Sequence, residues 1–130
     1  MRRFFAGLLL LTVLFSLVGC NALVIHYDGN AVLKFQGTQT GDNTKITQTL
    51  TEEETNKVKT YLTAAKYSPG TGGCPFHENI SITFDDQVFA VAYDGCYCIW
   101  LVGSDKYYTL SKEGYDYIIS LFEKYVGKFF

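Results

Sequence analysis

The segment from Val88 to Val102 reads Val-Phe-Ala-Val-Ala-Tyr-Asp-Gly-Cys-Tyr-Cys-Ile-Trp-Leu-Val. Two runs rich in β-branched and aromatic residues flank Asp94-Gly95. A type I′ turn needs positive φ at both central residues, and Asp-Gly supplies it. The spacing predicts a tight hairpin in which Tyr93 pairs with Cys96 and Cys98 lies opposite Val91. On that register Phe89, Val91, Cys98 and Trp100 share one face, and Val88, Ala90, Ile99 and Leu101 share the other. Both faces are apolar, more than a two-layer domain buries against one core. A chain with this hairpin at its centre is committed to a sheet.

The rest of the chain supplies partners for it. Leu23 to Tyr27, Asp28-Gly29 and Ala31 to Phe35 read as a first hairpin, followed by a polar Gly/Asn-rich loop and a strand from Lys45 to Leu50. Thr51-Glu52-Glu53-Glu54 has the spacing of a capping box, in which the Thr hydroxyl and the Glu three residues on satisfy each other's backbone amides. Val58, Tyr61, Leu62 and Ala65 continue as a helical stripe that Ser68-Pro69-Gly70 ends. Ile80, Ile82 and Phe84 alternate as a strand, Asp85-Asp86 turns, and the central hairpin follows. A strand from Lys106 to Leu110 then leads to Ser111, the N-cap of a last helix that closes at Gly127. Hairpins dominate this order, ββ-βα-ββββα. It predicts an α+β fold, an antiparallel sheet of about six to seven strands with two helices on one face.

The first residues have another use. Met1-Arg2-Arg3 is a positive start, Phe4 to Val18 is almost wholly apolar, and Leu17-Val18-Gly19-Cys20 follows. All four of these last positions match the lipobox, and the segment resembles the signal of bacterial lipoproteins. The resemblance covers twenty residues. It implies export, cleavage before Cys20, and a lipid anchor on that cysteine with palmitate among its acyl chains. Residues 1–19 are then a signal peptide, and 20–130 a single extracytoplasmic domain held at the cell membrane or the outer membrane. An uncleaved signal anchor is the alternative, but the apolar run is short for a spanning helix.

Beyond the signal, nine Lys and Arg stand against 13 Asp and Glu, a net charge of −4, with no basic cluster. Nucleic-acid affinity is built on phosphate neutralisation, so nucleic acid is not an expected partner. Charge-driven adherence to anionic lipid is set aside for the same reason, which leaves the membrane contact to the lipid anchor.

With Cys20 lipidated, Cys74, Cys96 and Cys98 remain, and an exported domain favours a disulfide. Cys96 and Cys98 point the same way if they lie two apart on one strand, which strains a bond between them. Cys74 paired with either would contribute about 3 kcal/mol in the chain-entropy view. The reading adopted is Cys74–Cys96, with Cys98 a buried hydrophobe. The alternative is zinc held by Cys74, His77, Cys96 and Cys98, a reasonable donor set whose weakness is two ligands alternating on a regular strand. A Cys98–His77 nucleophile pair lacks the third group that would orient it, so no enzyme and no cofactor are expected.

Cys74-Pro75-Phe76, Asp94-Gly95-Cys96 and the Tyr107-Tyr108 strand are similar to those of small cysteine-containing envelope domains of bacteria, a likeness that brings no activity with it. Two apolar surpluses remain, one on the hairpin and one on the last helix, where Tyr117, Leu121 and Tyr125 run beside the core stripe. Phe89, Trp100 and Tyr117 are accordingly expected as a patch for a protein or peptide of the envelope.

Overall fold

The computed structural model describes residues 22–37, 45–68, 74, 76 and 79–127. Among these described residues, seven strands and two helices follow one another as β1 (Val32–Gln36), β2 (Lys45–Thr49), α1 (Glu52–Thr63), β3 (Lys66–Tyr67), β4 (Ile80–Phe84), β5 (Gln87–Val91), β6 (Cys98–Leu101), β7 (Tyr107–Thr109) and α2 (Lys112–Val126). They form one sheet of order β2-β1-β4-β5-β6-β7-β3. Every pairing in it is antiparallel. The expected α+β class with two helices is the observed one.

Local sequence explains the helices directly. Thr51 accepts from the Glu54 amide while Glu54 accepts from the Thr51 amide, closing the capping box. Ser111 caps α2 by accepting from the Gly114 amide at 3.0 Å, and Gly127 ends it with φ 98°. Val58 and Leu62 of α1 join Ile118, Leu121 and Phe122 of α2 over Leu33, Ile82, Phe84 and Phe89 in one buried cluster. A second contact ties the helices together. Glu54 is buried and accepts from Lys124 Nζ at 2.6 Å and from the Tyr125 hydroxyl at 2.9 Å.

One expected strand is absent and an unexpected one takes its place. Leu23 to Tyr27 is not a strand. Both edges of β1 are already taken, by β2 on one side and β4 on the other, so a preceding strand has no ladder to join. Four backbone groups between Val24 and Ala31 pair with side chains instead. The Gln87 amide group donates to Val24 O at 2.9 Å and accepts from His26 N at 3.3 Å. Thr55 Oγ1 accepts from Ala31 N, and Lys59 donates to Tyr27 O. The missing strand is replaced by β3, whose two residues pair with Thr109 and Tyr108 at the far edge of the sheet. Accordingly α1 stops at Thr63, several residues before the Ser-Pro-Gly signal.

The central hairpin is shifted by one residue. Ala90 pairs with Trp100 and Val91 with Ile99, so Cys98 lies opposite Ala92 rather than Val91. Because side chains alternate, a one-residue shift moves the whole strand's set to the other face. Phe89, Val91, Ile99 and Leu101 now share the helix-covered face, while Ala90, Cys98 and Trp100 share the opposite one.

That opposite face also carries Ser81, cross-strand to Ala90, and Thr83, cross-strand to Val88. Both hydroxyls are buried without a hydrogen-bond partner among the described residues. An unsatisfied buried hydroxyl costs about 1–3 kcal/mol, so Ser81→Ala is expected to raise stability by about 1 kcal/mol. Chemical denaturation of the two chains measures it, and a loss of stability would show that the hydroxyl is satisfied.

Candidate thiol site

The loop between β5 and β6 is closed at its base by Ala92 N donating to Cys98 O at 3.0 Å. Between them Asp94 Oδ1 accepts from Cys96 N at 3.1 Å, the local side-chain turn that Asp favours. Gly95 has φ 83° and Tyr97 has φ 60°. The second value is uncommon for a residue with a bulky side chain. It is supported on both sides. Leu110 N donates to Tyr97 O at 2.8 Å, and the Tyr97 ring packs edge-on against Tyr115 with centroids 5.1 Å apart. Tyr115 also holds the loop through its hydroxyl, which donates to Ala92 O at 2.8 Å and accepts from Gly95 N at 3.2 Å.

This backbone decides what the cysteines can do. Only Cys98 is on a strand; Cys96 is in the loop, and the left-handed Tyr97 between them breaks the alternation. The objection to two ligands on a regular strand therefore falls, because the strand is not regular there. Cys74 arrives from the segment between β3 and β4. Two residues on, the Phe76 ring lies 6.2 Å from Trp100 and 5.7 Å from Tyr107, and those two rings stack on each other at 6.2 Å. Trp100 is fixed in turn by its Nε1, which donates to Ser104 O at 2.9 Å. An aromatic clamp thus brings the Cys74 arm to the sheet.

The result is a cluster. The sulfur atoms of Cys74, Cys96 and Cys98 all lie within 4.8 Å of one another. None is in a disulfide; Cys98 is buried, and Cys74 and Cys96 are half-buried. Burial pushes Cys96 up to about 12, helped by the adjacent Asp94 carboxylate and by Cys74. Cys98 is raised mainly by burial. At Cys74 a hydrogen bond from Cys96 favours the thiolate, but burial and the nearness of Cys98 outweigh it and the thiol is raised. Asp94 is lowered, chiefly because it accepts from the Cys96 thiol. Protonated thiols beside a carboxylate are poor nucleophiles, since the thiolate is the reactive form. A dication inverts this balance, because it displaces the protons and takes the thiolates as ligands.

The other expected site residues fare differently. Cys20 and His77 lie outside the described residues. Phe89 is 0% exposed, at the centre of the core. Trp100 is on the opposite face of the sheet, occupied with Phe76 and Tyr107. Tyr117 is on α2, 5.6 Å from the Tyr61 ring and beneath the Lys57 ammonium at 4.5 Å. The expected patch of Phe89, Trp100 and Tyr117 is therefore not one surface, and the one-residue register shift is the reason. The role of Phe76 was not foreseen, although its place between Cys74 and the strand was visible.

Among the described residues no helix is long and apolar enough to cross a membrane. Comparison of the chain with family models, with curated proteins and with solved structures finds no match to any of them.

Proposed function

We propose that this is a lipid-anchored, non-enzymatic domain of the cell envelope that binds a thiophilic metal ion, zinc, through Cys74, Cys96 and Cys98. The anchor rests on the Leu17-Val18-Gly19-Cys20 lipobox. The metal reading rests on one observation, three thiols from two separate segments converging within 4.8 Å. Soft thiolates suit zinc and copper(I) alike. Three thiolates beside the Asp94 carboxylate make a densely negative site, which favours the dication.

The competing chemistry is a Cys74–Cys96 disulfide with Cys98 as the spare. Cys98→Ser separates the two. On the metal reading it removes a ligand, and zinc affinity falls at least about tenfold, as loss of far less intimate groups already does. On the disulfide reading it changes neither the cross-link nor metal content. Zinc stoichiometry and thiol counting on protein isolated without reductant supply the readout. One zinc and three thiols per lipidated chain are expected; one thiol and no zinc would sink the proposal.

A further inference from the structure

Resting on that metal reading, we infer that the zinc is an exchangeable cargo, handed to an incoming thiol, and is not a staple of the fold. Structural zinc sites carry the folding energy of domains that have little core of their own. Here the core is complete without the ion. The cluster of Leu33, Phe84, Phe89, Ile118 and Phe122 lies on the helix-covered face, and none of the three cysteines belongs to it. Each element that carries a thiol is also fixed by protein contacts. The β5–β6 loop is closed by Ala92 N to Cys98 O, Gly95 N to the Tyr115 hydroxyl and Leu110 N to Tyr97 O. The Cys74 arm is fixed by Phe76 against Trp100 and Tyr107. An ion added to this frame joins parts that are already in place.

The arrangement also gives the ion a way out. Cys98 is 9% exposed and Cys74 and Cys96 are half-buried, so a ligand has more room to approach from the Cys74–Cys96 side. Zinc expands its coordination readily, which allows an associative exchange. In that step a zinc–sulfur bond forms to the incoming thiol and the bond to Cys74 breaks. The proton lost by the incoming thiol goes to the Cys74 sulfur. The same exchange at Cys96 and then at Cys98, each sulfur taking the proton of the thiol that replaces it, breaks the remaining two bonds and completes the transfer; charge balances at every step and no electron is transferred, so no oxidant or reductant is needed. Cys74 is the first to leave because its arm is held by ring contacts, whereas the Cys96 loop is hydrogen-bonded through both of its ends. The recipient class is a molecule bearing one or more accessible thiols.

The full chain loaded with zinc provides the test, with dithiothreitol as the receiving thiol. Transfer is expected to be first-order in dithiothreitol, doubling in rate when its concentration doubles. The chain stripped with a chelator is expected to keep a cooperative thermal transition and its aromatic near-UV signal. A transfer rate independent of dithiothreitol would overturn the inference, as would loss of the cooperative transition on stripping. Neither result would touch the metal reading. A chain that takes up no zinc at all would end both, and it is recognised before any transfer is attempted.

Discussion

Replacing Glu54 by Ala is expected to cost about 3 kcal/mol of stability at neutral pH, the range for breaking a buried, hydrogen-bonded charge. Few residues in this chain serve so many others. Glu54 completes the capping box of α1, accepts from Lys124 Nζ and accepts from the Tyr125 hydroxyl with both carboxylate oxygens. Its removal frays α1, unties the C-terminal turn of α2 and leaves a tyrosine hydroxyl without its acceptor. The pH dependence carries the same signature. Burial alone would raise the carboxyl, but the hydrogen bonds from Lys124, the Thr51 amide and Tyr125 prevail and lower it from 4.5 to about 2.

A carboxyl lowered on folding stabilises fully above its unfolded value and loses that contribution as pH falls through its folded value. The loss should therefore run from about pH 4.5 down to about pH 2. It should amount to about 2–3 kcal/mol, because Lys124 is largely in water and its share is screened. Urea midpoints across that range measure it. The Glu54→Ala chain should show a flatter curve; parallel curves for the two chains would remove Glu54 from the account.

The second large effect is expected at Trp100. Its truncation to Ala should lower stability by about 2–3 kcal/mol, somewhat below the figure for a fully buried ring because Trp100 is half-buried. The more telling consequence is remote. With the indole gone, Phe76 keeps only Tyr107 as a described ring partner, and the arm that carries Cys74 loses its main support. Zinc affinity should fall about 10–100-fold although all three cysteines remain, the range seen for outer-shell partners of metal ligands. Trp100→Phe keeps a ring for Phe76 and Tyr107 to pack on and should recover most of the affinity. Competition against a chromogenic chelator reads this directly. Equal zinc affinity in the wild-type and Trp100→Ala chains would show that the clamp does not position Cys74.

These two residues also mark where sequence reasoning succeeds and where it stops. Thr51-Glu52-Glu53-Glu54 declares a helix start because capping is local: donor and acceptor are three residues apart, and no distant partner can alter the geometry. The α+β class was legible for a similar reason, since hairpins and helices follow from short-range periodicity. Register was not. Asp94-Gly95 fits a two-residue turn so well that the left-handed Tyr97 went unseen, and its support comes from Leu110 and Tyr115, outside the hairpin altogether. That single slip carried Phe89 into the core and Trp100 to the opposite face. Leu23 to Tyr27 fails by the same logic: its alternation is strand-like, but whether a strand forms depends on an open edge, and β1 has none. At the thiol site the cysteines could be counted from the sequence. Their convergence could not, because it depends on one aromatic side chain docking across the sheet.

The Gln87 clamp on residues 24 and 26 has a mechanical consequence. Gln87 opens β5, and the thiol loop begins just after that strand ends. At about 3.3 Å per residue, the clamp and Ala92 are separated by about 17 Å along the strand. With the anchor proposed at Cys20, a tug from a moving bilayer arrives through Ala22 and meets first Leu23, buried in the core cluster, and then the Gln87 bonds. Two hydrogen bonds to a single side chain yield before a seven-stranded ladder does. The segment before β1 thus takes up such a load at the end of β5 opposite the sulfur atoms, ahead of the loop that carries Cys96.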